Sequence, residues 1–151
     1  MKAEITIRRA TGADAAAIAR IHLSTRATAM PWLAAVHTDE ETHWWVEHVM
    51  LVNDKVWVAE ADGRTVIGFA GIAPGWLEHL YIDPAFQGAG VGRRLLDLAK
   101  ERQPHGLQLW AFARNHRARR FYEAAGFLLE EETDGAGNDE REPDVRYRWR
   151  P

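Results

Sequence analysis

The run Leu80-Tyr81-Ile82-Asp83-Pro84-Ala85-Phe86-Gln87-Gly88-Ala89-Gly90-Val91-Gly92 decides how the chain is read. Residues from Trp76 to Ile82 read as a strand that Pro84 stops. Three glycines at alternate positions follow, and from Val91 the apolar period becomes helical, with Val91, Leu95, Leu98 and Ala99 on one face. A strand, a glycine-rich turn and a helix in succession gather backbone N–H groups at the positive end of a helix, which is a site for an anion, phosphate above all. Glycine matters because a β-carbon would block close approach. Taken alone, the three glycines also fit a plain tight turn.

Outward from this turn the elements follow in order. Ile5-Thr6-Ile7 alternates as a short strand, and Thr11 with Asp14 opens a helix from about Ala13 to Ala29 with Ile18, Ile21 and Thr25 on one face. Thr38 and Glu41 repeat the cap signal, and a second helix is expected from His43 to about Leu51. From Lys55 the period is two, and Asp62-Gly63 reads as a hairpin turn in which both residues want positive φ. With Trp76 to Ile82 these strands make an antiparallel meander. Beyond the glycine turn and its helix come a strand from Leu107 to Ala111, a helix opened by Asn115 and ended by Gly126, and two strands, 127–133 and 145–149, around a long polar loop. The order β-α-α-β-β-β-α-β-α-β-β predicts an α/β (α+β) fold: a mixed, mostly antiparallel sheet flanked by about four helices.

At 151 residues the chain is expected to be one domain, 1–151. Lys and Arg total 19 against 22 Asp and Glu, a net of −3, which removes the general electrostatic argument for nucleic acid or an anionic membrane. That near balance is a cancellation, because residues 130–144 hold eight acids and one Arg, leaving a mildly basic remainder. Cysteine is absent, so a disulfide framework, a Cys-ligated zinc and a thiol nucleophile are all excluded. The first residues turn polar too early for a signal peptide and no apolar run reaches the roughly 20 residues of a membrane span, so a cytoplasmic protein is expected. Seven Trp imply either a heavily packed core or an aromatic-lined pocket.

Two familiar phosphate loops do not fit. A nucleoside-triphosphate loop needs Lys and Ser or Thr after its last Gly, where Arg93-Arg94 stand, and a dinucleotide fold wants a different glycine spacing and an acidic ribose ligand about 20 residues on. The run 80–92, continued by Arg93-Arg94-Leu95-Leu96, instead resembles the acyl-CoA signature Q/R-x-x-G-x-G/A of the GCN5-related N-acetyltransferase (GNAT) family. Asn115-His116-Arg117-Ala118-Arg119-Arg120-Phe121-Tyr122-Glu123-Ala124-Ala125-Gly126-Phe127 is similar to that family's downstream helix, N-x-x-A-x-x-F-Y-x-x-x-G-F. The two motifs lie at the family's spacing, and the element order agrees over roughly residues 4–150.

The resemblance implies an acetyl-CoA-dependent N-acetyltransferase that passes an acetyl group to a primary amine by direct attack in a ternary complex. The alternative of the same fold is a non-catalytic acyl-CoA-binding sensor or partner module. Acetyl-CoA would place its pyrophosphate on the amides of Gln87, Gly88, Ala89, Gly90, Val91, Gly92 and Arg93, and its pantetheine beside Leu80, Tyr81 and Ile82. Asn115 would contact it as well, unless it serves only as a helix cap. Tyr122 would protonate the departing thiolate; the plain alternative is a core aromatic whose hydroxyl is satisfied locally. Glu78, two residues before the cofactor stretch and on the same pleat face as Leu80 and Ile82, is the candidate base, against a solvated strand carboxylate. His79 points the other way unless a bulge intervenes, and Trp110 stands where some members carry Glu.

On the acceptor side the resemblance places the first two helices and the last loop, which nominates Trp32, Trp45 and Asp134 for a small-molecule or peptide amine. The acidic segment near that side would attract a cationic amine. His43 and His48 are five apart and have no third ligand nearby, so no metal is expected. Arg114, Arg117, Arg119 and Arg120 with His116 surround Asn115, and serve the cofactor's phosphates or a solvated face rather than nucleic acid. Dimerisation, common in the family, is left open.

Overall fold

The computed structural model describes residues 3–151. Seven strands form one sheet: β1 (Ile5–Arg9), β2 (Lys55–Ala61), β3 (Thr65–Ala73), β4 (Trp76–Ile82), β5 (Leu107–Phe112), β6 (Leu128–Glu132) and β7 (Asp144–Trp149). Their order across the sheet is β1-β2-β3-β4-β5-β7-β6. Every neighbouring pair is antiparallel except β4 and β5, so the expected mixed, mostly antiparallel sheet is what forms. The β2–β3 turn has Asp62 at φ 54° and Gly63 at φ 67°, the two positive values that its Asp-Gly pair requires.

The helices are α1 (Ala15–Ala29), α2 (Asp39–Trp45), α3 (Leu51–Asn53), α4 (Val91–Arg102) and α5 (His116–Ala124), with a π-helical turn at Val46–Met50 joining α2 to α3. The second helix begins four residues before the expected His43. Its capping box decides this: Glu41 N–H donates to Thr38 Oγ1 at 3.1 Å, and Thr38 N–H donates to Glu41 Oε1 at 3.1 Å. The box therefore closes immediately after Thr38.

Two apolar layers sandwich the sheet. On one face Ile18 and Ile21 of α1 and Val46 and Met50 of the π-turn pack on Val56, Val58 and Phe69. On the other, Leu95, Leu96 and Ala99 of α4 and Tyr122 of α5 pack on Ile67, Leu107, Leu109 and Tyr147. The alternation along β2 assigns Val56 and Val58 to the first layer and Ala59 and Ala61 to the second, as a period of two demands.

Two irregularities in the centre of the sheet create the site. First, β4 and β5 are in register only at Trp76 and Gln108 and then separate, opening a cleft between their C-terminal halves. Second, Gly71 pairs with His79 while Ile72 pairs with Leu77, so Glu78 is an extra residue on β4. This is a β-bulge, and it re-aims the side chains on either side of it.

Candidate active site

Opposite the cleft, β4 offers an open backbone edge. Asp83 N–H donates to the Ile67 carbonyl at 2.7 Å, and in an antiparallel pair bonded and non-bonded residues alternate. The peptide groups of Leu80 and Ile82 are therefore turned away from β3 toward the space that β5 has vacated. The Ile82 carbonyl accepts from Thr25 Oγ1 of α1 at 3.2 Å, which agrees with that direction.

The edge leads into the glycine turn. Gly88 and Gly90 have φ of 85° and 81°, and a β-carbon on either would meet nothing within 4 Å. Side chains are thus disfavoured here by backbone conformation, not by crowding inside the protein, and the space before these amides is open. Gly90 caps α4, whose first-turn N–H groups face the same space.

One cavity of about 380 Å³ joins the edge, the turn and α5. Leu80, Tyr81 and Ile82 line it from β4, and Gln87, Gly88, Gly90, Val91, Gly92 and Arg93 line it from the turn. Asn115 and Tyr122 close it from the far side, while Ala89 is not part of its wall. Asn115 also caps α5, its Oδ1 accepting from Ala118 N–H at 3.2 Å, so the cap and the wall are both its positions. Thr25, Met30, Phe86 and Phe121 line the same cavity and were not signalled by the glycine motif.

The arginines divide. Arg117 lines this cavity, whereas Arg119 is held by Tyr147 Oη at 2.9 Å and the Ala113 carbonyl at 3.1 Å. Arg114 pairs with Glu142 at 2.6 Å and lies 4.4 Å over the Trp32 ring.

Tyr122 is buried and packs edge-on against Phe121 and Phe127 at 5.3 and 5.6 Å. The ring is a core aromatic, but among the described residues its hydroxyl has no hydrogen-bond partner. It reaches both this cavity and a smaller one of about 160 Å³ between β4 and β5. Burial, and then the nearby Tyr81, push its phenol above the ordinary value, which keeps it protonated.

The smaller cavity meets a third, of about 680 Å³, at Glu78, His79 and Tyr81. The bulge makes this possible. Partial burial, with the negative charge of Asp54, pushes the Glu78 carboxyl above its usual range. His79 turns to the α1–α2 side, with Nε2 3.8 Å from Asp54 Oδ2 and its ring edge-on to Trp45 at 5.3 Å. Gly71 leaves room for it, since a β-carbon there would lie 3.0 Å from His79 Cδ2. Burial, then the charge of Arg26, brings His79 down to about 4.

His22 on α1 packs with its ring tilted against Tyr81 at 4.9 Å and is brought down to about 3 by burial, with the charges of Arg26 and His79 adding to it. His22 and Arg26 recur at i and i+4 on α1, a polar pair on one side of the helix that was the available signal for this wall.

Trp45 lines the third cavity. Trp32 and Asp134 do not. Trp32 is taken up by Arg114 and by an edge contact with Phe112 at 6.1 Å, and Asp134 is exposed, its Oδ1 accepting from Ala136 N–H at 2.9 Å. The loop reaches this cavity through Asp139 and Glu140 instead. Among the described residues no group of three or more His, Asp or Glu is placed to hold a metal ion, and no helix is long and apolar enough to cross a membrane.

Comparison with known proteins agrees with this architecture. The chain is 36% identical over 101 residues, 57% of this chain and 67% of the other, to an N-acetyltransferase of Archaeoglobus fulgidus described as uncharacterized. Apo-form YjaB from Escherichia coli superposes with a TM-score of 0.82 at 24% identity, over 97% of each chain. YncA from Salmonella typhimurium, a putative acetyltransferase solved with acetyl-CoA, gives 0.72 at 23% identity over 97% of this chain and 94% of its own. The model of the acetyltransferase (GNAT) domain matches residues 52–128, from α3 to the first residue of β6, and the chain therefore belongs to the GNAT family of acetyltransferase enzymes.

Proposed function

We propose that the protein is an acetyl-CoA-dependent N-acetyltransferase acting on a primary amine. The observation that carries this reading is the adjacency of three cavities: the one at Gly88 and Gly90 shares Leu80, Tyr81 and Tyr122 with the small cleft between β4 and β5, and that cleft shares Glu78, His79 and Tyr81 with the third. An anionic head and an amide-bearing arm fit the first, the thioester fits the small cleft and an amine fits the third. The acetyl-CoA held by the structurally similar YncA supports the donor.

Acetyl-CoA supplies the acetyl group as an activated thioester. The amides of the 87–93 turn and the positive end of α4 hold the pyrophosphate, with Arg93 and Arg117 adding charge. The free peptide groups of Leu80 and Ile82 hold the arm, the Leu80 N–H foremost, because the Ile82 carbonyl already accepts from Thr25. Glu78 takes a proton from the amine, which must be neutral to attack. Tyr122 gives its proton to the departing sulfur. Its phenol is weakly acidic, but burial that raises a phenol also raises a thiolate set free beside it, so transfer from oxygen to sulfur accompanies loss of the C–S bond. No enzyme nucleophile takes part, in keeping with a chain that has no cysteine.

The test is release of free thiol from acetyl-CoA across a panel of primary amines. Amine-dependent release in the wild type is expected; its absence across the panel would return the protein to a binding module. Gly90→Glu separates the donor site from the chemistry. At φ 81° a side chain costs about 1–2 kcal/mol of backbone strain, but its β-carbon meets nothing in the protein, so the variant is expected to fold with reduced stability, checked by its urea midpoint, and to lose CoA affinity by about 100-fold or more through like-charge repulsion. Unchanged affinity would move the phosphate site elsewhere.

A further inference from the structure

The third cavity, of about 680 Å³, has the size of a small-molecule site and a wall of unusual chemistry. Five carboxylates line it, Glu40, Glu41, Glu78, Asp139 and Glu140, against Arg26 as the one Lys or Arg. Arg26 pairs with Glu140 at 2.8 Å, so these two charges largely cancel. Four carboxylates then remain, with only the exposed His37 near two of them, 3.7 Å from Glu41 and 3.8 Å from Asp139.

Two aromatic groups stand with them. Trp44 is 58% exposed and Trp45 half-buried, and indole faces attract cations. One buried wall group is independent of the acids. His22 is 8% exposed, and its Nδ1 is enclosed without a partner among the described residues. A buried polar nitrogen left unpaired is costly, about 1–3 kcal/mol. Burial and Arg26 keep the ring neutral, so it adds no positive charge to the wall. The wall as a whole accepts hydrogen bonds and favours positive charge.

The reacting nitrogen cannot satisfy these acids, because it must be neutral when it attacks. The charge has to come from elsewhere on the same molecule. We infer that the acceptor is an aliphatic diamine, one nitrogen reaching Glu78 at the mouth of the transfer cleft and the other remaining protonated among Glu40, Asp139 and Trp44 at the exposed rim. This rests on the acetyltransferase reading above and adds the acceptor class to it. An alkyl amine with an ordinary value of about 10 keeps its charge at the rim at neutral pH.

The experiment compares butylamine with 1,4-diaminobutane in the wild type and in a Glu40→Gln/Asp139→Asn double variant, at low and high ionic strength. Glu41 is left in place because it caps α2. The wild type is expected to prefer the diamine at least 10-fold in kcat/KM at low salt. That ratio is expected to fall toward one in the double variant and in 0.5 M salt, since rim charges are screened. Equal use of the two amines, or a preference that survives the double variant, would overturn the inference and leave the acetyltransferase reading standing. If no amine releases thiol, calorimetry with 1,4-diaminobutane in the presence of CoA decides the inference separately: binding lost in the double variant upholds it, and no binding overturns it.

Discussion

Trp76 of β4 pairs with Gln108 of β5, and beyond this pair the two parallel strands part. The peptide N–H of Leu80 then has no strand beside it. CoA is expected to slow hydrogen exchange at Leu80 while leaving Tyr81, already bonded toward β3, little changed. Residue-resolved exchange with and without CoA is the measurement, and equal protection of both amides would mean that the arm does not lie on this edge.

Tyr122→Phe keeps the packing against Phe121 and Phe127 and removes only the hydroxyl. A loss of about 10²–10⁴ in kcat is expected with CoA affinity nearly unchanged, the range for removing a positioned acid. Titration calorimetry and steady-state rates separate the two effects. An unaffected kcat would take the phenol out of the reaction.

A base at Glu78, as proposed, would act only when ionised, so kcat at saturating amine should fall as pH drops through its pKa. Partial burial and Asp54 raise that pKa, so the fall should lie above the free glutamate value of about 4.3. Asp54→Asn removes one of the two causes and should move the fall to lower pH. Glu78→Gln should abolish it and lower the plateau. A profile that ignores both substitutions would assign the base elsewhere.

His22 and His79 fold in the neutral form, brought down to about 3 and about 4 from an ordinary 6.5. The unfolded chain takes up their protons first. The stability tied to their neutrality is therefore whole above about pH 6.5 and declines as pH falls toward 4, by about 1.4 kcal/mol per pH unit per histidine. Urea midpoints between pH 7 and 5 should follow this slope, and His22→Phe should remove about half of it. A slope equal to wild type would place His22 outside the linkage.

The extra residue at Glu78 shows where reading from sequence stops. A strand of alternating pattern assigns Glu78 and His79 to opposite faces, yet both line the same cavity, because the bulge at Glu78, opposite Gly71 and Ile72, resets the pleat. A bulge depends on the partner strand's register, which local pattern does not encode. Likewise Asp134 and Asp139 are equivalent by composition, but the turn at Ala136 leaves the first in solvent and brings the second to the cavity wall.

What the sequence by itself determined was everything governed by short-range chemistry. Asp62-Gly63 made the hairpin, Thr38 with Glu41 started α2, and Gly88, Gly90 and Asn115 set the turns and the cap beside the cavity at the glycine turn. These follow from the φ preferences and hydrogen-bonding reach of neighbouring residues. Only the tertiary structure decided which distant groups share a space: the divergence of β4 from β5, the free hydroxyl of Tyr122, the use of Trp32 by Arg114, and the meeting of His22, Glu40 and Asp139 around one cavity. Those relationships join residues separated by tens of positions, and they exist only once the sheet order and the packing of both helical layers are in place.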